Sequence, residues 1–278
     1  MSWSPSRRTL FTTAGIAGAA LLGAAAVAVP ELMEVAQLVV PVSSEPAPIP
    51  TGLIFKSGTL STTHWPGGKP YWGVVIPPNA KGTIIALQGT GSDAKKWFEY
   101  YDAPSAAMQT GMAIAAIDGG DYWWHDRASG VEGADLVLED LLTAARAAGA
   151  PTERIGFTGL SSGGYGALLL ATMLPRERVV GVAAMSPAVW KNWADAKNED
   201  GWDDEANFNA NDIYQRTAAL DAMPVWLCCG KQDHYYPNVQ SVAAALPNAQ
   251  TLFDTGVHQD SYWRDHLPLA AAFLAAQV

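Results

Sequence analysis

From about Thr51 onward, short apolar runs alternate with stretches whose apolar positions recur at helical spacing. Tyr71–Ile76 and Thr83–Leu87 are apolar, β-branched in part and bounded by Gly and Pro, which predicts strands. Met112–Ile117 predicts the next strand. Ala134, Val137, Leu138, Leu141, Leu142 and Ala145 then repeat with a helical period, and Gly149 and Pro151 stop that helix. Arg154–Thr158 reads as a strand, Gly163–Leu174 as a helix and Val179–Met185 as a strand. After them come strand Val225–Cys229, helix Val239–Leu246, strand Thr251–Asp254 and a final helix toward Val278. Continuous apolar strands alternating with helices predict an α/β fold, its mostly parallel sheet covered by helices on both faces.

Two segments break the alternation. Ser186 to Tyr214 carries seven acidic residues and the aromatics Trp190, Trp193, Trp202, Phe208 and Tyr214. It is expected to be a small cap over the carboxyl edge of the sheet. It lacks the spacing of a calcium-binding EF-hand loop. At the other end, Arg7 and Arg8 precede an uncharged, Ala- and Gly-rich stretch from Thr9 to Pro30, with Ala26-Val27-Ala28 as a small-x-small cleavage site. This predicts a signal peptide over residues 1–28, with the paired arginines resembling a twin-arginine export signal. The alternative is a retained anchor, since the stretch is long enough to span a membrane. Residues 29–50 hold Pro41, Pro46, Pro48 and Pro50 and read as a linker. The domain itself is expected at 51–278. These features predict a secreted or envelope-facing protein, with envelope association through the N-terminus.

Composition narrows the function. The 278 residues are 49% hydrophobic and 16% charged, which suits one folded core, and the formal net charge of −10 disfavours nucleic-acid binding. The two cysteines, Cys228 and Cys229, are adjacent within an apolar strand and read as core thiols rather than a disulfide or a zinc site.

The chemistry centres on Gly159-Leu160-Ser161-Ser162-Gly163, a G-x-S-x-G pattern between a predicted strand and a predicted helix. Such a turn lifts a serine hydroxyl above the sheet, and glycines at either side remove the clashes. Ser161 is the candidate nucleophile; Ser162 does not fit the glycine spacing. On this arrangement the acid and the histidine follow in that order. Asp233, after strand Val225–Cys229, is the candidate acid, with Asp254 and Asp260 more poorly placed. Of the five histidines, His258 follows the last strand and precedes the last helix, where the general base belongs; His266 and His234 are the alternatives. Two N–H donors are needed for a tetrahedral oxyanion. The backbone of Ser162 is one candidate, and Thr90 in Gln88-Gly89-Thr90-Gly91 is the other, with Gly91 as its alternative.

Leu87–Asp93, Asp118–Gly130, Gly156–Leu170, Cys229–Pro237 and Gly256–Pro268 together resemble the esterase group of α/β-hydrolases that includes esterase D (S-formylglutathione hydrolase) and the mycolyltransferases. The resemblance implies the α/β-hydrolase fold, and the family's Ser, Asp and His fall on Ser161, Asp233 and His258. Gln88 stands where many relatives have His, and Ser162 where they have Met, so substrate preference does not carry over. Tyr122, Trp123, Trp124, His125, Trp190 and Trp193 are expected near the same edge, with Trp123, Trp124 and Trp190 walling a substrate pocket. The resulting expectation is a serine hydrolase acting on a small-molecule carboxylic ester, with neither metal nor cofactor. The same acyl-enzyme would serve an acyltransferase that passes the group to a sugar or alcohol, and a third possibility is a silent hydrolase fold used for binding.

Overall fold

The computed structural model describes residues 50–278; the expected signal peptide and all of the linker but Pro50 lie outside the described residues. Eight strands form one sheet in the order β1-β2-β4-β3-β5-β6-β7-β8. These are β1 (Ile54–Thr59), β2 (Tyr71–Ile76), β3 (Thr83–Leu87), β4 (Ala113–Ile117), β5 (Ile155–Leu160), β6 (Val179–Met185), β7 (Val225–Gly230) and β8 (Gln250–Asp254). β1 pairs with β2 and β2 with β4 antiparallel, and every pairing from β4 through β8 is parallel. All residues of β3, β4, β5, β6 and β7 are buried, which is why their sequences are continuously apolar rather than alternating.

Within those strands the side chains part by period two. Ile85, Leu87, Phe157, Val182 and Leu227 join one core, and Ile84, Ala86, Ile114, Ala183 and Trp226 join the other. α1 (Lys95–Glu99), α2 (Ala103–Thr110) and, at the far end of the chain, the helix Asp260–Ala275 pack on the second face. The first face is covered by α3 (Gly133–Asp135), which runs through a π-helical turn, Leu136–Leu141, into α4 (Leu142–Ala148), and by α5 (Ser162–Ala171). All ten residues of α5 are buried, so it is the central helix of that layer.

The segment expected to form a cap leaves the carboxyl end of β6. It contains α6 (Trp193–Ala196) and α7 (Glu205–Ala210), followed by a 3-10 turn at Ile213–Arg216 and α8 (Thr217–Asp221). It is stitched to the loop after β4: Arg127 Nε meets Asp203 Oδ1 at 3.0 Å, the Ala128 N–H donates to Asp203 at 2.6 Å, and His125 Nε2 lies 2.9 Å from the Gly201 carbonyl. α9 (Tyr236–Ala245) follows β7, and α10 (Asp260–Ala275) completes the chain. Cys228 and Cys229 are buried free thiols. Burial, and then the neighbouring Asp233 charge, push the Cys229 thiol up to about 12, so it stays protonated and unreactive. No helix among the described residues is long and apolar enough to cross a membrane.

Candidate active site

The site is assembled where β5 turns into α5. A Cβ on Gly159 would lie 2.1 Å from the Gly163 carbonyl oxygen, and a Cβ on Gly163 would lie 2.0 Å from the Leu87 oxygen. No side chain fits either gap, and this is the physical content of the glycine pair around Ser161. Ser161 itself has φ 55° and ψ −122°, a left-handed strain that few non-glycine residues adopt. Its N–H donates to Met185 of β6 and its carbonyl accepts from Ala188 and Tyr165, so the turn is held from both sides. The strain projects the hydroxyl away from the sheet, and the opening turn of α5, with N–H groups that lack an i−4 carbonyl, lies directly behind it.

Two further strand ends bring the partners. His258, in the loop between β8 and α10, places Nε2 3.0 Å from Ser161 Oγ and Nδ1 2.8 Å from Asp233 Oδ2. Asp233 follows β7, its side chain fully out of solvent, and its other oxygen accepts the Tyr235 N–H at 2.8 Å. Burial alone would raise this carboxyl. The hydrogen bonds from His258 and the Tyr235 N–H outweigh it and hold the group below the usual carboxylate value. The His258 ring is flanked edge-on by Trp263 and Tyr235, with centroids at 4.7 and 5.1 Å.

The rival residues sit elsewhere. His266 is a buried residue of α10, with Nδ1 2.7 Å from the Tyr262 carbonyl and Nε2 3.0 Å from Asp254 Oδ2. Asp254 also accepts the Tyr262 hydroxyl, and Asp260 is engaged by Lys96 and Tyr101. His234 is largely exposed and its ring lies against that of His258 at 4.5 Å. In the loop after β3, the Gly91 N–H is spent on Asp121 Oδ1 at 2.7 Å, whereas the Thr90 N–H points at Ser162 Oγ at 2.9 Å. That second bond had no signal in the sequence.

The expected aromatic pocket wall needs correction. Trp123 and Trp124 are 6% and 2% exposed and belong to the core. Trp124 fills the space over Gly166 of α5 and donates its indole N–H to the Gln88 carbonyl. Trp123 packs among Tyr165, Trp190 and Trp202 at centroid distances of 4.9–5.8 Å. Trp190 is also mostly buried, but part of it lines a cleft of about 300 Å³ with Tyr214, Asn238 and Ser241.

Among the described residues, two groups of side chains have the donor spacing for a metal ion. One, Asp233, His234 and His258, overlaps the Ser161 arrangement itself; the other is His64, Glu132 and Asp135. His64 also meets Asp140 at 3.0 Å. Burial works against its charge, but the bond to Asp140 and the surrounding carboxylates prevail and hold the imidazole above its usual value. The second group thus reads as a histidine set among several surface acids.

Residues 137–274 match the family described as "Putative esterase". No curated protein matches the chain in sequence. Among solved structures, a ferulic acid esterase superposes with a TM-score of 0.68 at 18% identity, covering 81% of this chain and 99% of its own. An S-formylglutathione hydrolase from Agrobacterium tumefaciens gives 0.69 at 17% identity, with 84% and 98% covered. A fluorophosphonate-binding serine hydrolase of Staphylococcus aureus gives 0.64 at 18%, with 80% and 98% covered. At such identities the likeness speaks for the fold.

Proposed function

We propose that this chain, an esterase-type member of the α/β-hydrolase superfamily, cleaves carboxylic esters through an acyl-enzyme on Ser161. The observation that carries this reading is the hydrogen-bond line from Ser161 Oγ through His258 to the buried Asp233. In the reaction, Ser161 Oγ attacks the ester carbonyl carbon while His258 Nε2 takes its proton. The oxyanion of the tetrahedral intermediate is met by the N–H groups of Ser162 and Thr90. The bond to the alkoxy group then breaks, and His258 returns the proton to the leaving alcohol. Water, deprotonated by the same imidazole, releases the acid and regenerates Ser161. Asp233 keeps Nδ1 as the donor and stabilises the imidazolium that forms in each step.

The test is direct. Ser161→Ala should fold normally and lose ester turnover by several orders of magnitude, whereas Ser162→Ala should lose no more than about tenfold. A folded Ser161→Ala enzyme with near-normal activity would sink the assignment. A series of chromogenic esters of increasing acyl length, run with and without an alcohol acceptor, assigns the acyl group and decides whether water or an alcohol takes it. The neighbouring structures favour a small-molecule ester substrate. We also propose that the Arg7-Arg8 segment directs export, which would place the enzyme outside the cytoplasm or at the cell envelope.

A further inference from the structure

The loop after β3 does more than pass beside the nucleophile. A Cβ on Gly89 would lie 3.2 Å from Ser161 Cβ, and the Gly163 position is in contact with the Leu87 and Gln88 carbonyls. Residues 87–90 are therefore packed directly on the turn that carries Ser161. The loop is fixed along its length as well. Gln88 Nε2 donates to the Ser92 carbonyl at 2.7 Å, the Gln88 carbonyl accepts from Trp124, and Gly91 is tied to Asp121. Thr90 is held at the centre of this brace. Its N–H donates to Ser162 Oγ at 2.9 Å, and its own hydroxyl donates to the same oxygen at 3.0 Å. Ser162 is 3% exposed, whereas Thr90 lies at the exposed side of these bonds. Two donors of one residue thus converge on one point at the opening of α5. A threonine has few staggered choices, and only one that turns its hydroxyl to the same side as its N–H can satisfy this geometry.

Resting on the proposed Ser161 chemistry, we infer that Thr90 presents two donors to the oxyanion, its N–H and its hydroxyl, and that the Ser162 hydroxyl positions both. In the free enzyme Ser162 Oγ is the acceptor on which they are ordered. When charge develops on the ester oxygen, the hydroxyl of Thr90 turns to the stronger, ionised acceptor alongside the N–H groups of Ser162 and Thr90. The Ser162 hydroxyl touches neither the attacking nor the leaving atom, and once the Thr90 donors have turned the loop is still held by the bonds of Gln88, Trp124 and Gly91. The bond exchange moves no proton between residues, so the reaction balance is that of ordinary ester hydrolysis.

The experiment compares Thr90→Val, Thr90→Ser and Ser162→Ala in the full chain. It measures kcat and KM on p-nitrophenyl acetate and inhibition by phenylboronic acid, whose tetrahedral adduct on Ser161 imitates the oxyanion. Thr90→Val should lower kcat about 10–100-fold with KM changed less than about threefold, since the hydroxyl acts mainly on developing charge. The boronate inhibition constant should rise by a similar factor. Thr90→Ser, which keeps the hydroxyl, should recover kcat to within about threefold of the parent. Ser162→Ala, which leaves Thr90 intact, should lose about threefold to tenfold in kcat, with boronate affinity falling in step. A folded Thr90→Val enzyme with parental kcat and boronate affinity overturns the inference. So does a Thr90→Ser enzyme as impaired as Thr90→Val. If Thr90→Val does not fold, parental kcat and boronate affinity in Ser162→Ala overturn it instead. Failure of the underlying reading looks different: Ser161 would then resist fluorophosphonate labelling in the parent, or Ser161→Ala would stay active.

Discussion

Gly163→Ala sets two well-known effects against each other. Gly163 lies in α5, where helix propensity alone favours alanine by about 1 kcal/mol. The added Cβ, however, would stand 2.0 Å from the Leu87 oxygen and 2.4 Å from the Gln88 oxygen. An ordinary carbon–oxygen contact is about 3.3 Å, so about 1.3 Å must be opened. Both atoms belong to backbone, and β3 is held on one side by β4 and on the other by β5, so neither can swing aside as a side chain would. Overpacking of this kind costs about 1–3 kcal/mol, and more when backbone has to move. Taking about 3 kcal/mol and subtracting the propensity gain leaves a destabilisation of about 2 kcal/mol. At about 2–4 °C per kcal/mol for a domain of this size, the melting temperature should fall by about 4–8 °C.

Activity should fall further than stability. The displaced residues lead directly into Thr90, and a misplacement of about 1 Å in a catalytic group can cost about 100-fold in rate. The assay is thermal unfolding followed by circular dichroism, with kcat on p-nitrophenyl acetate measured well below the transition. Gly159→Ala should behave alike, because its Cβ would lie 2.1 Å from the Gly163 oxygen. If Gly163→Ala melts at or above the parent temperature and keeps kcat within twofold, propensity has won and the close approach of α5 to β3 is refuted.

Other outcomes follow from the same geometry. His258→Gln should abolish both acylation and deacylation in single-turnover kinetics, whereas His234→Gln and His266→Gln should leave the chemistry; a dead His266→Gln with a working His258→Gln would move the base to α10. Asp233 has its folded value below the ordinary 3.8, so the stability it contributes is present above that value and is lost as pH falls through the folded one. Asp233→Asn should therefore flatten the acid limb of a pH–stability profile, and unchanged slopes would contradict the buried pair. His64 has its value raised above 6.5, so its contribution is complete below 6.5 and is lost as pH rises through the folded value. His64→Gln should flatten that decline, measured by urea midpoints across neutral pH. Replacing Arg7 and Arg8 by lysine should hold the protein in the cytoplasm, and equal export of both forms would remove the twin-arginine proposal.

How much of this was legible in the sequence depended on where the energy came from. β3, β4, β6 and β7 were readable because a sheet covered on both faces leaves no polar positions in its central strands. β1, Ile-Phe-Lys-Ser-Gly-Thr, carries no such run, and five of its six residues are exposed. It is a strand because β2 offers it a ladder at the sheet edge, a property of the partner rather than of the segment. α1 and α2, with five and eight residues, are too short for an apolar period to register. The helical repeat from Ala134 was clear, yet its π-helical centre was not: Leu136, outside the repeat, is fully buried there, while Leu138, within it, is only partly buried. The placement of Ser161, Asp233 and His258 after β5, β7 and β8 could be read from the glycine pattern and chain order, because each strand of a parallel sheet delivers its carboxyl end to one edge.

The aromatics show the limit most clearly. A Tyr-Trp-Trp-His run after β4 has the composition of a pocket wall, and composition cannot tell a wall from a filling. What decides it is packing: Trp123 and Trp124 are buried, and both are held at positive φ, 60° and 65°. L-residues with large side chains seldom hold this conformation, so something must offset the strain. The offset is visible in the packing. Gly166 leaves α5 without a side chain where Trp124 lands, and Trp202 and Trp190 arrive from beyond β6 to enclose Trp123. Burying two such rings contributes several kcal/mol, at about 25 cal/mol per Å² over about 150–250 Å² each. That exceeds the roughly 1–3 kcal/mol that each strained residue costs. The aromatic content near the site is therefore used mainly to fasten the segment after β6 onto α5. Trp263, 6% exposed beside His258, is spent in the same way, which leaves Tyr235 and the loop that carries Thr90 as the more open groups around Ser161 and His258.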